Sequence, residues 1–111
     1  MLITPELLIS ELRQAVPHFK VDELWVEDSL LYPIINDFAR YIIEQAEWED
    51  ADELRASLQL LERCISDGDP KVHELAHECV ESLVSGNRTE EIKAAMGPNT
   101  LALWNEVIRH H

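Results

Sequence analysis

The sequence predicts an all-α fold, a single compact domain of five or six helices over residues 1–111. Three observations point there. Apolar residues make up 46% of the chain and recur at the three-to-four-residue spacing of a buried helix face. Only 3 glycines occur, too few for the many tight turns of an all-β protein. No run of alternating β-branched residues is long enough to form a strand.

Thr4, Pro5 and Glu6 open the first helix: a hydroxyl cap, a proline whose missing N–H costs nothing, and an acid at the positive dipole end. Leu7, Leu8, Glu11, Leu12 and Ala15 carry it to Pro17. The next helix is expected after Asp28-Ser29, through LLYPIINDFARYIIEQAEW, with Leu31, Ile34, Ile35, Phe38, Ile42 and Ala46 on its core face. Pro33 fits there because first-turn N–H groups have no helical partner to lose. Asp50 with Glu53 forms a capping-box-like start for a helix whose stripe is Leu54, Leu58, Leu61 and Ile65, ended by Ser66-Asp67-Gly68.

Asp69-Pro70 opens another helix, with a face of Val72, Leu75, Ala76, Cys79, Val80 and Leu83, closed by Ser85-Gly86. Thr89 is expected to cap a short helix, TEEIKAAM, stopped by Gly97. Pro98 begins the last, with Leu101, Trp104, Val107 and Ile108 on its face.

Charge narrows the choice of partners. Twenty-two acidic residues against 9 basic ones give a formal charge of −13, which repels nucleic-acid phosphates and anionic lipid. Neither nucleic acid nor membrane is an expected partner; a basic protein is. The density peaks between Glu44 and Glu53, where Glu44, Glu47, Glu49, Asp50, Asp52 and Glu53 surround Trp48 without one Lys or Arg. No apolar run approaches the roughly 20 residues that span a bilayer, and the N-terminus lacks a basic leader, so a cytoplasmic location is expected. If a hairpin turns at residues 67–69, Cys64 and Cys79 are offset by about 9 Å along their helices, too far for a disulfide. Reduced, buried thiols are expected.

The run LLERCISDGDPKVHELAHECVESLV resembles a HEAT-type repeat: an amphipathic helix, an Asp-containing turn, then D-P-x-V, with Ala76 and Leu83 at packing positions. The likeness covers residues 52–85, departs at His73, where such repeats usually carry Arg, and has no second copy. More loosely, the chain resembles small acidic all-helical bacterial proteins, some similar to immunity proteins paired with secreted toxins. Both resemblances imply a binding surface without catalysis.

One short stretch points elsewhere. His73, Glu74 and His77 spell H-E-x-x-H, which places two zinc ligands and a general base on adjacent helical turns. Over five residues it resembles a zincin-type metalloprotease, and a zinc-dependent hydrolase is the alternative function. The surroundings disagree. Lys71 and Glu78 stand where a buried metal helix carries uncharged residues, Pro70 starts the helix too late, and no covering strand is expected. With Val72 at zero and 100° per residue, His73 falls near 100° and His77 near 140°, at the edge of the apolar face. A boundary pair is the simpler reading, with His73 and His77 as weak adventitious metal candidates and Cys79, Glu81, His110 or His111 as undistinguished third ligands.

DGDPKVHELAHE puts Asp67, Asp69 and Glu78 at calcium-loop positions, but Pro70, Lys71 and Val72 stand where that loop needs oxygen and glycine; Asp69 is better read as a cap. Cys64 and Cys79 lie on apolar stripes, no glycine-rich phosphate loop exists, and Trp25, Trp48 and Trp104 lack the basic neighbours of a base-stacking platform. No enzyme activity and no cofactor are therefore expected. The function expected is an acidic protein-binding domain, an immunity or antitoxin protein that neutralises a basic secreted toxin, with Glu44, Glu47, Trp48, Glu49, Asp50 and Asp52 as its contact residues. A helical scaffold or regulatory subunit, acidic for solubility alone, is the blander alternative.

Overall fold

The computed structural model describes residues 1–110. Among them are seven helices, α1 Pro5–Ala15, α2 Glu23–Glu27, α3 Leu31–Glu47, α4 Ala51–Asp67, α5 Pro70–Val84, α6 Thr89–Ala94 and α7 Pro98–Arg109, and no strand. The fold is all-α, as the sequence predicts. None of the helices is long and apolar enough to cross a membrane.

Local chemistry explains most boundaries. Thr4 Oγ1 accepts from the Leu7 N–H, and Asp69 Oδ1 from Val72 N–H at 2.8 Å, so both cap-plus-proline starts form as read. Asp50 Oδ1 accepts from Glu53 N–H at 3.1 Å, but the reciprocal half of the capping box is absent, because the Glu53 carboxylate takes the Tyr41 hydroxyl instead. Ile3 extends beside the α4–α5 turn: its N–H donates to Asp67 O at 2.8 Å and its carbonyl accepts from Asp69 N–H at 2.9 Å. This isolated bridge ties the N-terminal segment to the middle of the chain.

Two helix boundaries and one buried face differ from what the sequence predicts. Asp28 and Ser29 do not start α3; they end the short α2, which Asp22 Oδ1 opens by accepting from Leu24 and Trp25 N–H. Thr89 is the first residue of α6, not its cap, and Arg88 precedes it in the left-handed region at φ 59°. On α7 the buried residues are Thr100, Leu103, Trp104 and Val107, while Ile108 is exposed. The glycines do not close helices through positive φ; Ser29 and Glu49 hold that conformation at the ends of α2 and α3. Gly68 serves by its small size, since a Cβ there would lie 2.2 Å from the Cys64 carbonyl oxygen.

The core centres on α3 and α5. The buried face of α5 is Val72, Leu75, Ala76, Cys79, Val80 and Leu83, the six residues that its periodicity selects. It packs most extensively on α3, then on α7, and less on α4 despite their two-residue connection. Phe19, from the segment after α1, inserts beside Phe38 and Tyr41 of α3 with ring centroids 5.3 and 5.2 Å away. Burying these aromatics and about two dozen aliphatic neighbours supplies the dominant stabilising term. Cys64 and Cys79 are buried and unbridged, and burial pushes the Cys64 thiol up to about 12.

Candidate functional site

The sharpest departure from local helix rules lies where α3 ends and α4 begins. The α3 terminus is a Schellman turn: Asp50 N–H donates back to Gln45 O and Glu49 N–H to Ala46 O, with Glu49 left-handed at φ 58°. Glycine is the residue that such a position favours, and a glutamate there is strained. The last turn of α3 also holds acids and no base, against the negative end of the helix dipole. Glu44, Glu47 and Glu49 thus each oppose what local stability prefers. Such conflicts concentrate where function sets the residue.

The turn presents Trp48 to solvent. As the C-cap of α3 it leaves the helix face, and its side chain is 69% exposed, whereas Trp104 is buried and Trp25 packs against the core. Of the three tryptophans, Trp48 alone stands clear of the core. Around it Glu47, Glu49, Asp50 and Asp52 are exposed and Glu44 half-buried, so the fold gathers all six predicted contact residues at one corner. Two arginines reach the edge of this cluster. Arg55 sits 3.6 Å from Asp52, with both side chains largely solvated, and Arg88 donates to the Glu47 backbone carbonyl while pairing with Glu91 at 3.1 Å. Neither is worth much against salt. The corner keeps a large negative excess.

Several residues of the corner escape a linear reading. Tyr41 Oη donates to Glu53 Oε1 at 2.6 Å, and burial, then that bond and the charges of Glu53, Asp50 and Glu44, drive the phenol pKa far upward. His18, Tyr41, Gln45, Trp48, Asp50 and Glu53 line a shallow cavity of about 280 Å³. A neighbouring one of about 220 Å³ shares Gln45 and Asp50 and adds Glu91 from α6. No sequence spacing connects His18 or Glu91 to residue 48; only the packing of α6 on α3 and the insertion of residues 16–21 do so.

The H-E-x-x-H segment lies on the outer side of α5. His73 is exposed and His77 half-buried, with His77 Nδ1 2.8 Å from Glu81 Oε1. Glu74 Oε2 accepts from Tyr32 Oη at 2.6 Å and from Lys71 Nζ at 2.9 Å, and these two donors lower its pKa. A carboxylate so engaged is a weak base for activating water. Among the described residues no three His, Cys, Asp or Glu side chains converge into a metal-holding group. His110 is exposed at the end of α7, and His111 lies outside the described residues. Asp69 is the N-cap of α5 and Asp67 accepts from Ile3, so the calcium-loop spacing is accounted for by local structure.

Comparison with known proteins adds one finding. A family model described as a domain of unknown function (DUF7674) matches residues 9–111. None of the curated proteins and none of the solved structures matches the chain.

Proposed function

The chain belongs to that family, DUF7674, a domain of unknown function, and from this premise we propose that it is a non-catalytic acidic binding protein. Its partner is a basic protein, most concretely the cationic domain of a secreted toxin, which it neutralises in the cytoplasm of the producing cell. The observation that carries the reading is Trp48, an indole 69% exposed at the turn after α3, among Glu47, Glu49, Asp50 and Asp52.

The physics of association favours this arrangement. Acidic residues steer a cationic partner and raise the association rate, and an aromatic anchor at the centre of the contact retains it. The net charge of −13 extends that attraction beyond the corner. A free indole held in water at a helix terminus has little value to the fold. The HEAT-like run over residues 52–85 is consistent with a binding module. Its α4 supplies Asp52 and, through its cap, Asp50.

Co-expression tests the proposal. A cationic toxic domain encoded beside this gene should lose its toxicity when the chain is present, and the complex should weaken as salt rises. Trp48→Ala should abolish protection while leaving the melting temperature unchanged. Protection that persists in Trp48→Ala, or complex formation indifferent to salt, would overturn the reading.

A further inference from the structure

Gln45 is the buried polar residue that the fold does not use. It is 4% exposed, in the last turn of α3, and among the described residues its side-chain amide has no hydrogen-bond partner. The other two buried polar side chains are satisfied: Ser57 Oγ donates to Glu53 O and Thr100 Oγ1 to Glu62 Oε1. An amide with no protein partner is left to water, which a ligand's donor can displace. This amide is not sealed in, since Trp104 Nε1 alone is both enclosed and unpartnered among the described residues. Gln45 lines both cavities of the corner.

The smaller cavity, about 220 Å³, has a divided lining. Ala46, Ala51 and Leu54 supply its apolar lining, and Glu49, Asp50 and Glu91 its carboxylates. Some of these oxygens are already engaged: Asp50 Oδ1 caps Glu53 and Glu91 Oε1 pairs with Arg88, which leaves Asp50 Oδ2, Glu91 Oε2 and the whole Glu49 carboxylate open. An aliphatic lining together with carboxylates and an amide oxygen suits a side chain that is apolar along its stem and cationic at its head. Among such side chains, arginine has a planar fork of five donors that can serve two carboxylates and an amide together, which an ammonium cannot match.

We infer that this cavity is the seat for an arginine side chain of the basic partner, its stem on Ala46, Ala51 and Leu54, its guanidinium among Glu49, Asp50 and Glu91, with an N–H donated to the Gln45 amide oxygen. The inference rests on the acidic-corner reading and deepens it. Trp48 and the outer carboxylates attract and anchor the partner; the seat makes the contact selective for arginine over lysine.

Hexa-arginine and hexa-lysine peptides, titrated into the intact protein at low salt, are the probes. Hexa-arginine should shift the Gln45 side-chain amide resonances and bind roughly tenfold more tightly than hexa-lysine, as expected for one added charge-assisted hydrogen-bond set. Gln45→Leu should remove that preference while leaving the far-UV circular dichroism unchanged, and Gln45→Met repeats the test should leucine pack poorly. Glu47→Lys, outside the cavity, should weaken both peptides equally. Equal affinity of the two peptides, or a preference that survives Gln45→Leu and Gln45→Met, overturns the seat alone. Failure of either peptide to bind at the corner overturns the acidic-corner reading with it.

Discussion

Glu62, in the middle of α4, caps α7. Its Oε1 accepts from Thr100 N–H at 2.8 Å and Thr100 Oγ1 at 2.7 Å, while Oε2 accepts from Asn99 N–H at 3.1 Å and Asn99 Nδ2 at 2.9 Å. The natural cap position of α7 is Gly97, which has no side chain to offer, and a Cβ there would lie 2.6 Å from the Glu62 carboxyl carbon. A negative charge from a distant helix thus satisfies the first turn of α7 and complements its dipole. Burial pushes the Glu62 pKa up, but the bonds from Thr100 and Asn99 outweigh it and the net shift is down.

Glu62→Gln should therefore destabilise the fold by about 1–2 kcal/mol, because an amide offers one acceptor oxygen where a carboxylate offers two. The pH dependence has a definite sign. A carboxyl with a depressed folded pKa contributes its stability above the ordinary value of 4.5 and loses it as pH falls through the lower folded value. Urea midpoints should separate wild type from Glu62→Gln at pH 7 and converge as pH falls from 4.5 through the lower folded value. Gly97→Ala should resemble Glu62→Gln, since the added methyl displaces the same carboxylate.

The Glu62 clamp also shows what a linear reading can reach. Caps such as Thr4, Asp50 and Asp69 act within three residues, so the string displays them, and the α5 face was legible because 3.6-residue periodicity is local. Glu62 lies 38 residues before Thr100, and nothing in the spacing joins them. The corner divides the same way. Its acids and Trp48 stand in one run and were visible; His18, Tyr41, Gln45 and Glu91 join only after folding. The helix α2 is not legible in the string because five residues carry too little periodicity to distinguish it from a turn.

Backbone strain at the corner yields a second test. Ser29 and Glu49 each hold a left-handed φ at a helix end, 55° and 58°, where glycine carries no Cβ penalty. Ser29→Gly and Glu49→Gly should each raise stability by about 0.5–1 kcal/mol, read as a higher urea midpoint at unchanged slope. Only Glu49→Gly should also weaken binding of a cationic peptide. Stability and binding would then move in opposite directions at Glu49 and independently at Ser29.

Asp50 combines a structural and a surface role, and one substitution separates them. Asparagine caps a helix about as well as aspartate, so Asp50→Asn should keep the bond from Glu53 N–H and alter stability by less than about 0.5 kcal/mol. Asp50→Ala, which removes the acceptor, should be destabilising by about 1 kcal/mol. Both lose the same charge at the corner. Both should therefore slow association with a basic partner alike, with the difference between them confined to the thermal melt.

The histidine pair provides the last test, because its geometry sets it apart from the core. His73 is exposed and His77 pairs with the half-exposed Glu81, while the six residues of the α5 apolar face are buried in the core. An exposed pair of this kind contributes at most a few tenths of a kcal/mol. His73→Ala combined with His77→Ala should therefore leave the melting temperature within about 2 °C of wild type, given that 1 kcal/mol shifts a domain of this size by about 4–8 °C. Dialysis against a chelator should leave wild type and the double variant melting together. A structural zinc held by these residues would instead lower the wild-type melt on chelation and make it coincide with the variant's, since bound metal stabilises only the state that holds it.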